Sequence, residues 1–234
     1  MNSNSLKARP DQPKHYSNSR PATNRKANHP ASQKAIPDSY LRSSASVKAQ
    51  QGAYTEAIAL LSQLIERHPD HAIDYNNRGL VYFQSGQNKQ AIADYNKALQ
   101  LNPQLASAYN NRANYYAACG KLAEAIADYD QAIDLNPSYV RAWLNRGITL
   151  RDLGEYNQAI ENFDIALLLG QLEGHIYAQR GRTYHVWGDW NYAIADYQRA
   201  LTYLPHQSAV TDPAARLRFQ VEAWLNQLFS PASN

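Results

Sequence analysis

Between residues 38 and 207, small and apolar positions return at a constant step of 34 residues, five times without an insertion. Gly52, Gly86, Gly120, Gly154 and Gly188 mark one register. Ala57, Ala91, Ala125, Ala159 and Ala193 follow five residues after each glycine, and Ala45, Gly79, Ala113, Gly147 and Gly181 precede it by seven. Large apolar residues, Leu61, Tyr95, Tyr129, Phe163 and Tyr197, come nine after the glycine. Small residues on both sides of a turn glycine predict two helices that approach closely. Pro69, Pro103, Pro137 and Pro205 then close most units, because the ring removes an amide donor and clashes with the preceding turn. Each unit therefore reads helix, turn, helix, stop, and a repeat of this length predicts hairpins stacked on their neighbours in an all-α array.

The units run 38–71, 72–105, 106–139, 140–173 and 174–207. The fourth carries Gln171 where the others carry proline, so its exit turn should differ. Residues 208–234 read as a terminal cap. Asp212 and Pro213 offer a side-chain acceptor and a ring suited to the first helical position. Leu217, Val221, Trp224, Leu225 and Leu228 then recur at helical spacing and give one apolar face to cover the last repeat.

The second unit spells Tyr75, Gly79, Tyr82, Gly86, Ala91, Tyr95, Ala98 and Pro103, and the third spells Tyr109, Ala113, Tyr116, Gly120, Ala125, Tyr129, Ala132 and Pro137. In this pattern the chain resembles the tetratricopeptide repeat family, in a bacterial and particularly cyanobacterial style. The resemblance covers residues 38–207 and implies a right-handed α-solenoid of five helix-turn-helix units, ending here in a capping helix. The first unit departs from the family pattern at Lys48 and Leu64, as a degenerate end repeat would.

Charge changes the picture at one end. Residues 1–37 hold Lys7, Arg9, Lys14, Arg20, Arg25, Lys26 and Lys34 against Asp11 alone, a surplus of six; of the chain's net +3, residues 38–234 thus carry −3. With five prolines and many Ser and Asn, this segment cannot bury enough apolar surface to offset its ordering entropy, so it reads as a disordered basic tail. Three readings stay open for it: a solvated leader, an arm for anionic surfaces such as nucleic acid or lipid, or a transit peptide. No apolar run suits a secretory signal or a membrane span, and a cytoplasmic location is expected.

Chemistry is sparse. The single cysteine, Cys119, excludes an internal disulfide and a cysteine zinc cluster, and is expected to be a small buried residue. His68 and His71 straddle Pro69 in a turn and make a poor metal pair. No nucleophile motif and no phosphate loop appears, so no enzyme activity, no cofactor and no small-molecule substrate are expected.

What remains is surface. In the family the resemblance names, first helices line a concave groove with positions two, five, six, nine and twelve of each unit. Position six reads Ser43, Asn77, Asn111, Asn145 and Gln179, an amide ladder. Similar ladders in the superhelix of O-linked N-acetylglucosamine transferase hold the backbone of an extended peptide. A primary amide has two donors and an acceptor and can pair with any peptide unit. Helices ~8–10 Å apart and an extended chain advancing ~3.3 Å per residue would place one rung at every third residue. The competing reading is that these amides pair with neighbouring helices. Around the ladder, Ile73, Asn76, Leu80, Phe83, Asn110 and Asn114 give the N-terminal half a mixed apolar and amide lining, while Arg141, Arg151, His175, Arg182 and His185, with Asp152 the only nearby acid, make the C-terminal half basic and predict an acidic ligand segment there. Asn114, Asn145 and His175 supply only part of the family's chaperone-tail clamp, which disfavours that ligand.

Arg78, Arg112, Arg146 and Arg180 recur with Asp94, Asp128, Asn162 and Asp196 sixteen residues later, as structural pairs within each hairpin; Asn162 would leave Arg146 freer. Two function classes follow. One is a non-catalytic scaffold binding an extended, acidic peptide segment in the groove, in assembly or regulation of a complex. The alternative is a tether to nucleic acid or an anionic membrane surface through the basic tail, with peripheral membrane contact and no transmembrane segment.

Overall fold

The computed structural model describes residues 36–205 and 212–229, all within one unit, Ile36–Asn234. The basic tail expected over 1–37 lies outside the described residues except for Ile36 and Pro37, as do 206–207 of the fifth unit and 208–211 and 230–234 of the expected cap segment.

Eleven helices and no strand form among the described residues. They pair as hairpins: α1 (Asp38–Gln50) with α2 (Tyr54–Arg67), α3 (Ala72–Gln84) with α4 (Asn88–Leu101), and α5 (Ala106–Ala118) with α6 (Leu122–Leu135). Next come α7 (Val140–Asp152) with α8 (Tyr156–Leu168), α9 (Glu173–Trp187) with α10 (Trp190–Tyr203), and a final α11 (Pro213–Phe229). Each odd-numbered helix also packs on the even-numbered helix before it, and α11 packs on α10 and α9 in the same manner.

The turn inside each hairpin needs a left-handed residue, and glycine supplies it. At Gly86, φ is +77° while the chain reverses, with the amide of Gln87 donating to the Tyr82 carbonyl at 2.8 Å. The registers of small residues set how close the helices come. A Cβ placed on Gly79 would lie 2.9 Å from the ring of Tyr95, which is wholly buried. Ala57, Ala91, Ala125, Ala159 and Ala193, from the facing helices, are each 0% exposed.

Most even-numbered helices stop before proline, whose predecessor is pushed into extended backbone: Asn102, before Pro103, has φ −141°. The exit of the fourth hairpin does differ. Without a proline, α8 ends through Gly170 at φ +70°, and Leu172 enters α9 at φ +61°, the one non-glycine residue with positive φ among those described. Leu172 holds this costly conformation because its side chain packs against the cluster around Val140, Phe163 and Ile176.

The cap begins where the sequence places it. The Asp212 carboxylate accepts from the amide of Ala214 at 3.0 Å, and Leu217 and Val221 bury against Ala193, Tyr197, Ala200 and Leu204. Arg218 donates to the Leu201 and Leu204 carbonyls at 2.7 and 3.0 Å, which satisfies one acceptor in the last turn of α10 and the carbonyl just beyond it.

The recurring arginines do more than pair within their hairpins. Arg112 makes a two-pronged contact with Asp128 at 2.7 and 2.8 Å, and also donates to Asn96 on the preceding α4 at 2.8 Å. Arg78 likewise joins Asp94 and Ser62, and Arg180 joins Asp196 and Asp164. Each arginine thus staples three helices. Arg146 is not freer, as Asn162 suggested: it keeps a 3.1 Å bond to Asn162 and pairs with Asp130 at 2.7 Å, so the acid of the preceding helix compensates. Cys119 also departs from expectation. It caps α5 in the exposed turn rather than facing the core.

Candidate functional site

The face formed by α1, α3, α5, α7 and α9 carries the predicted ladder. Asn77, Asn111, Asn145 and Gln179 are all half-buried there. Asn76 and Asn110, also expected in the lining, are instead 4% and 2% exposed and lie beneath it. They serve as foundations: Asn111 donates to Asn76 at 3.0 Å, Asn145 donates to Asn110 at 3.2 Å, and Asn110 donates to Asn111 at 3.3 Å.

Neighbouring hairpins are thereby tied through amides, and the ladder serves the fold as well as the surface. The amides are not exhausted. Asn145 uses one N–H and keeps its carbonyl and second N–H, Asn111 keeps one N–H, and Asn77 makes no side-chain hydrogen bond among the described residues. Gln179 accepts from Arg151 at 2.7 Å and retains both N–H groups. Asn114 is committed differently, accepting from the buried Tyr129 hydroxyl at 2.7 Å.

The basic half is less free than its composition suggests. Arg151 divides its guanidinium between Gln179 and Asp152, at 2.7 and 3.0 Å. Arg182 lies over the Trp224 ring of α11, 5.2 Å from its centroid. The cap therefore uses an arginine that the sequence assigns to the groove. His185 Nδ1 sits 3.1 Å from the Tyr197 hydroxyl and 3.4 Å from Arg182. Burial lowers its pKa, helped by Arg182, while burial also pushes the Tyr197 hydroxyl up to about 12. His175 is lowered too, by burial first and by Arg141 second, against an opposing pull from Asp212. Both imidazoles are consequently neutral near pH 7 and offer acceptors rather than charge. Arg141 remains exposed beside His175.

Two hollows open on this face. A smaller one of about 280 Å³ is lined by Asn114, Asn145, Ile148, Thr149, Asp152 and their neighbours. The larger, about 640 Å³, lies among α1, α3 and the beginning of α11, where Pro213 and Arg216 face Asn77, Leu80 and Val81. That shared lining, with the cap across the hollow from the first two hairpins, has no local signal in the sequence. Nor had the buried Asp74, which takes both prongs of Arg42 at 2.8 Å and locks the first hairpin to the second. Among the described residues no group of three or more His, Cys, Asp or Glu could hold a metal ion, and no helix is long and apolar enough to cross a membrane.

Comparison with known proteins agrees with the helical hairpins. Family models described as TPR repeat and tetratricopeptide repeat match residues 38–71, 79–118, 113–150 and 140–169. No curated protein matches the chain. Among solved structures, TTC0263, a thermophilic TPR protein of Thermus thermophilus, has a TM-score of 0.71 at 20% identity, over 81% of this chain and all of that one. MamA has a TM-score of 0.57 at 23% identity, over 68% of this chain and 92% of its own. The APC/C hetero-tetramer Cut9–Hcn1 has a TM-score of 0.70 at 21% identity, over 84% of this chain and 38% of the matched one. These likenesses concern the fold. With matched models spread over four of the five hairpins, the chain belongs to the tetratricopeptide repeat family.

Proposed function

We propose that this chain is a non-catalytic scaffold that holds an extended, acidic segment of another protein along the face of α1, α3, α5, α7 and α9, as a step in assembling or regulating a complex. The observation that carries the reading is the row of half-buried amides at Asn77, Asn111, Asn145 and Gln179, each with hydrogen-bonding capacity left after its contacts within the fold. Buried foundations at Asn76 and Asn110 hold the central rungs in place, which lowers the entropy lost when a backbone docks. Membership of a repeat family whose arrays bind other proteins supports it further.

At a net ~0.5–1.5 kcal/mol per hydrogen bond, the rungs alone give modest affinity, so side chains of the bound segment must add to it. The test is selection from random displayed peptides of ~12 residues, longer than the ~9 that the rungs would span at ~3.3 Å per residue. Full-length chain should enrich peptides that bind the Asn111→Ala/Asn145→Ala double variant about tenfold more weakly, the loss expected from two such bonds. Equal binding to both proteins, or binding that vanishes only when residues 1–35 are deleted, would overturn the groove reading.

A further inference from the structure

The larger hollow, about 640 Å³, falls in the ~300–1,000 Å³ range of ligand sites and is walled by the two ends of the array. Its apolar side is Ala49, Leu80 and Val81; its polar groups include Asn77 and Arg216. These two are uncommitted: Asn77 makes no side-chain hydrogen bond and Arg216 no ion pair among the described residues. The other arginine in the lining, Arg42, is spent on Asp74.

We propose that this cavity is the anchoring subsite of the groove and takes an acidic residue adjacent to an apolar one. The carboxylate pairs with Arg216, the peptide unit with Asn77, and the apolar side chain rests on Leu80, Val81 and Ala49. This assignment rests on the groove reading above and moves the acidic anchor within it. Composition places that anchor at the C-terminal half, but there Arg151 is shared by Gln179 and Asp152, Arg182 is held against Trp224, and both histidines are neutral near pH 7. Arg141 keeps its charge on an open surface, where solvent screens an ion pair. Arg216 is exposed as well, but it borders a hollow walled by Ala49, Leu80 and Val81, so a bound segment can bury an apolar side chain beside the ion pair.

The experiment uses the full chain, the same displayed peptides and the variants Arg216→Ala, Arg216→Glu and Leu80→Gln, each checked for helicity by circular dichroism. Peptides selected by the unaltered chain should share an acidic residue beside an apolar one. Arg216→Ala should weaken them about tenfold, as loss of one charged hydrogen-bonding partner does, and Leu80→Gln should weaken them separately. Selection on Arg216→Glu should replace the acidic position by lysine or arginine. Peptides that need Asn111 and Asn145 but carry no charge preference, or that bind Arg216→Glu as they bind the unaltered chain, would overturn the cavity assignment while leaving the groove. If the unaltered chain selects nothing, the groove reading falls and this one with it.

Discussion

Three of the five large residues nine after the turn glycines carry a hydroxyl, and their three fates separate two effects that share one position. Tyr129 donates to Asn114, and Tyr197 lies 3.1 Å from His185, but the equivalent neighbour of Tyr95 is Leu80, and the Tyr95 hydroxyl is buried without a partner among the described residues. In the fourth hairpin the residue is Phe163, with no hydroxyl to satisfy. A buried, unpaired hydroxyl costs ~1–3 kcal/mol in lost hydration, whereas a made bond returns only ~0.5–1.5 kcal/mol net. Tyr95→Phe should therefore raise stability by about 1 kcal/mol, and Tyr129→Phe should lower it by about the same amount. Urea unfolding midpoints of the two variants check this, and a shift of the same sign in both would contradict the account. The positions were legible as core in the sequence; the unequal hydroxyls were not, because their partners sit in the groove register rather than in the core register.

Between elements, the recurring arginines carry the specificity of stacking. Arg112 lies between the rings of Tyr109 and Tyr116, 5.6 and 5.9 Å from their centroids, while its planar fork meets Asp128 and its remaining arm reaches α4. Asp128 is 7% exposed, so removing the arginine strands a buried carboxylate. Arg112→Ala should cost about 3 kcal/mol, and Arg112→Lys should recover little, since an ammonium cannot match the two-pronged and stacked geometry. Asp128→Asn should cost only about 1 kcal/mol. The fourth hairpin shows how the amide is held, since Asn162 accepts from Arg146 and gives its own amide to the Gln158 carbonyl at 2.7 Å, although Arg146 keeps the Asp130 carboxylate where Arg112 has only Asn96. Denaturant unfolding of the three variants reads the order, and a lysine as stable as the arginine would refute the role of geometry. The sixteen-residue spacing made the pairing within hairpins readable. The reach back to Ser62, Asn96, Asp130 and Asp164 was missed, although those positions also keep the step of 34.

At the scale of the whole array, period and cap were legible because each depends on a few residues at fixed offsets. The hollow shared by α1, α3 and α11 was not, because it depends on small rotations summed over five hairpins, and no single residue encodes the sum. The same nearest-neighbour logic makes the cap a measurable element of stability. Val221 is wholly buried and Leu217 nearly so, Trp224 packs on Tyr197 at 5.8 Å, and Arg218 satisfies the end of α10. At ~1.5–3 kcal/mol per buried side chain, ending the chain after residue 205 should withdraw about 5 kcal/mol, nearly all of it from the fifth hairpin. Because each hairpin touches only its neighbours, that loss should not spread evenly. α9 and α10 should unfold at lower urea than the hairpins before them, giving two transitions where the full chain gives one. Trp187 and Trp190 lie at the turn of the fifth hairpin and Trp143 on α7, so the first fluorescence change should come from the two former. Replacing Trp143 by phenylalanine assigns the signals. A truncated chain that unfolds in one step at the midpoint of the full chain would mean that α11 adds nothing to the array.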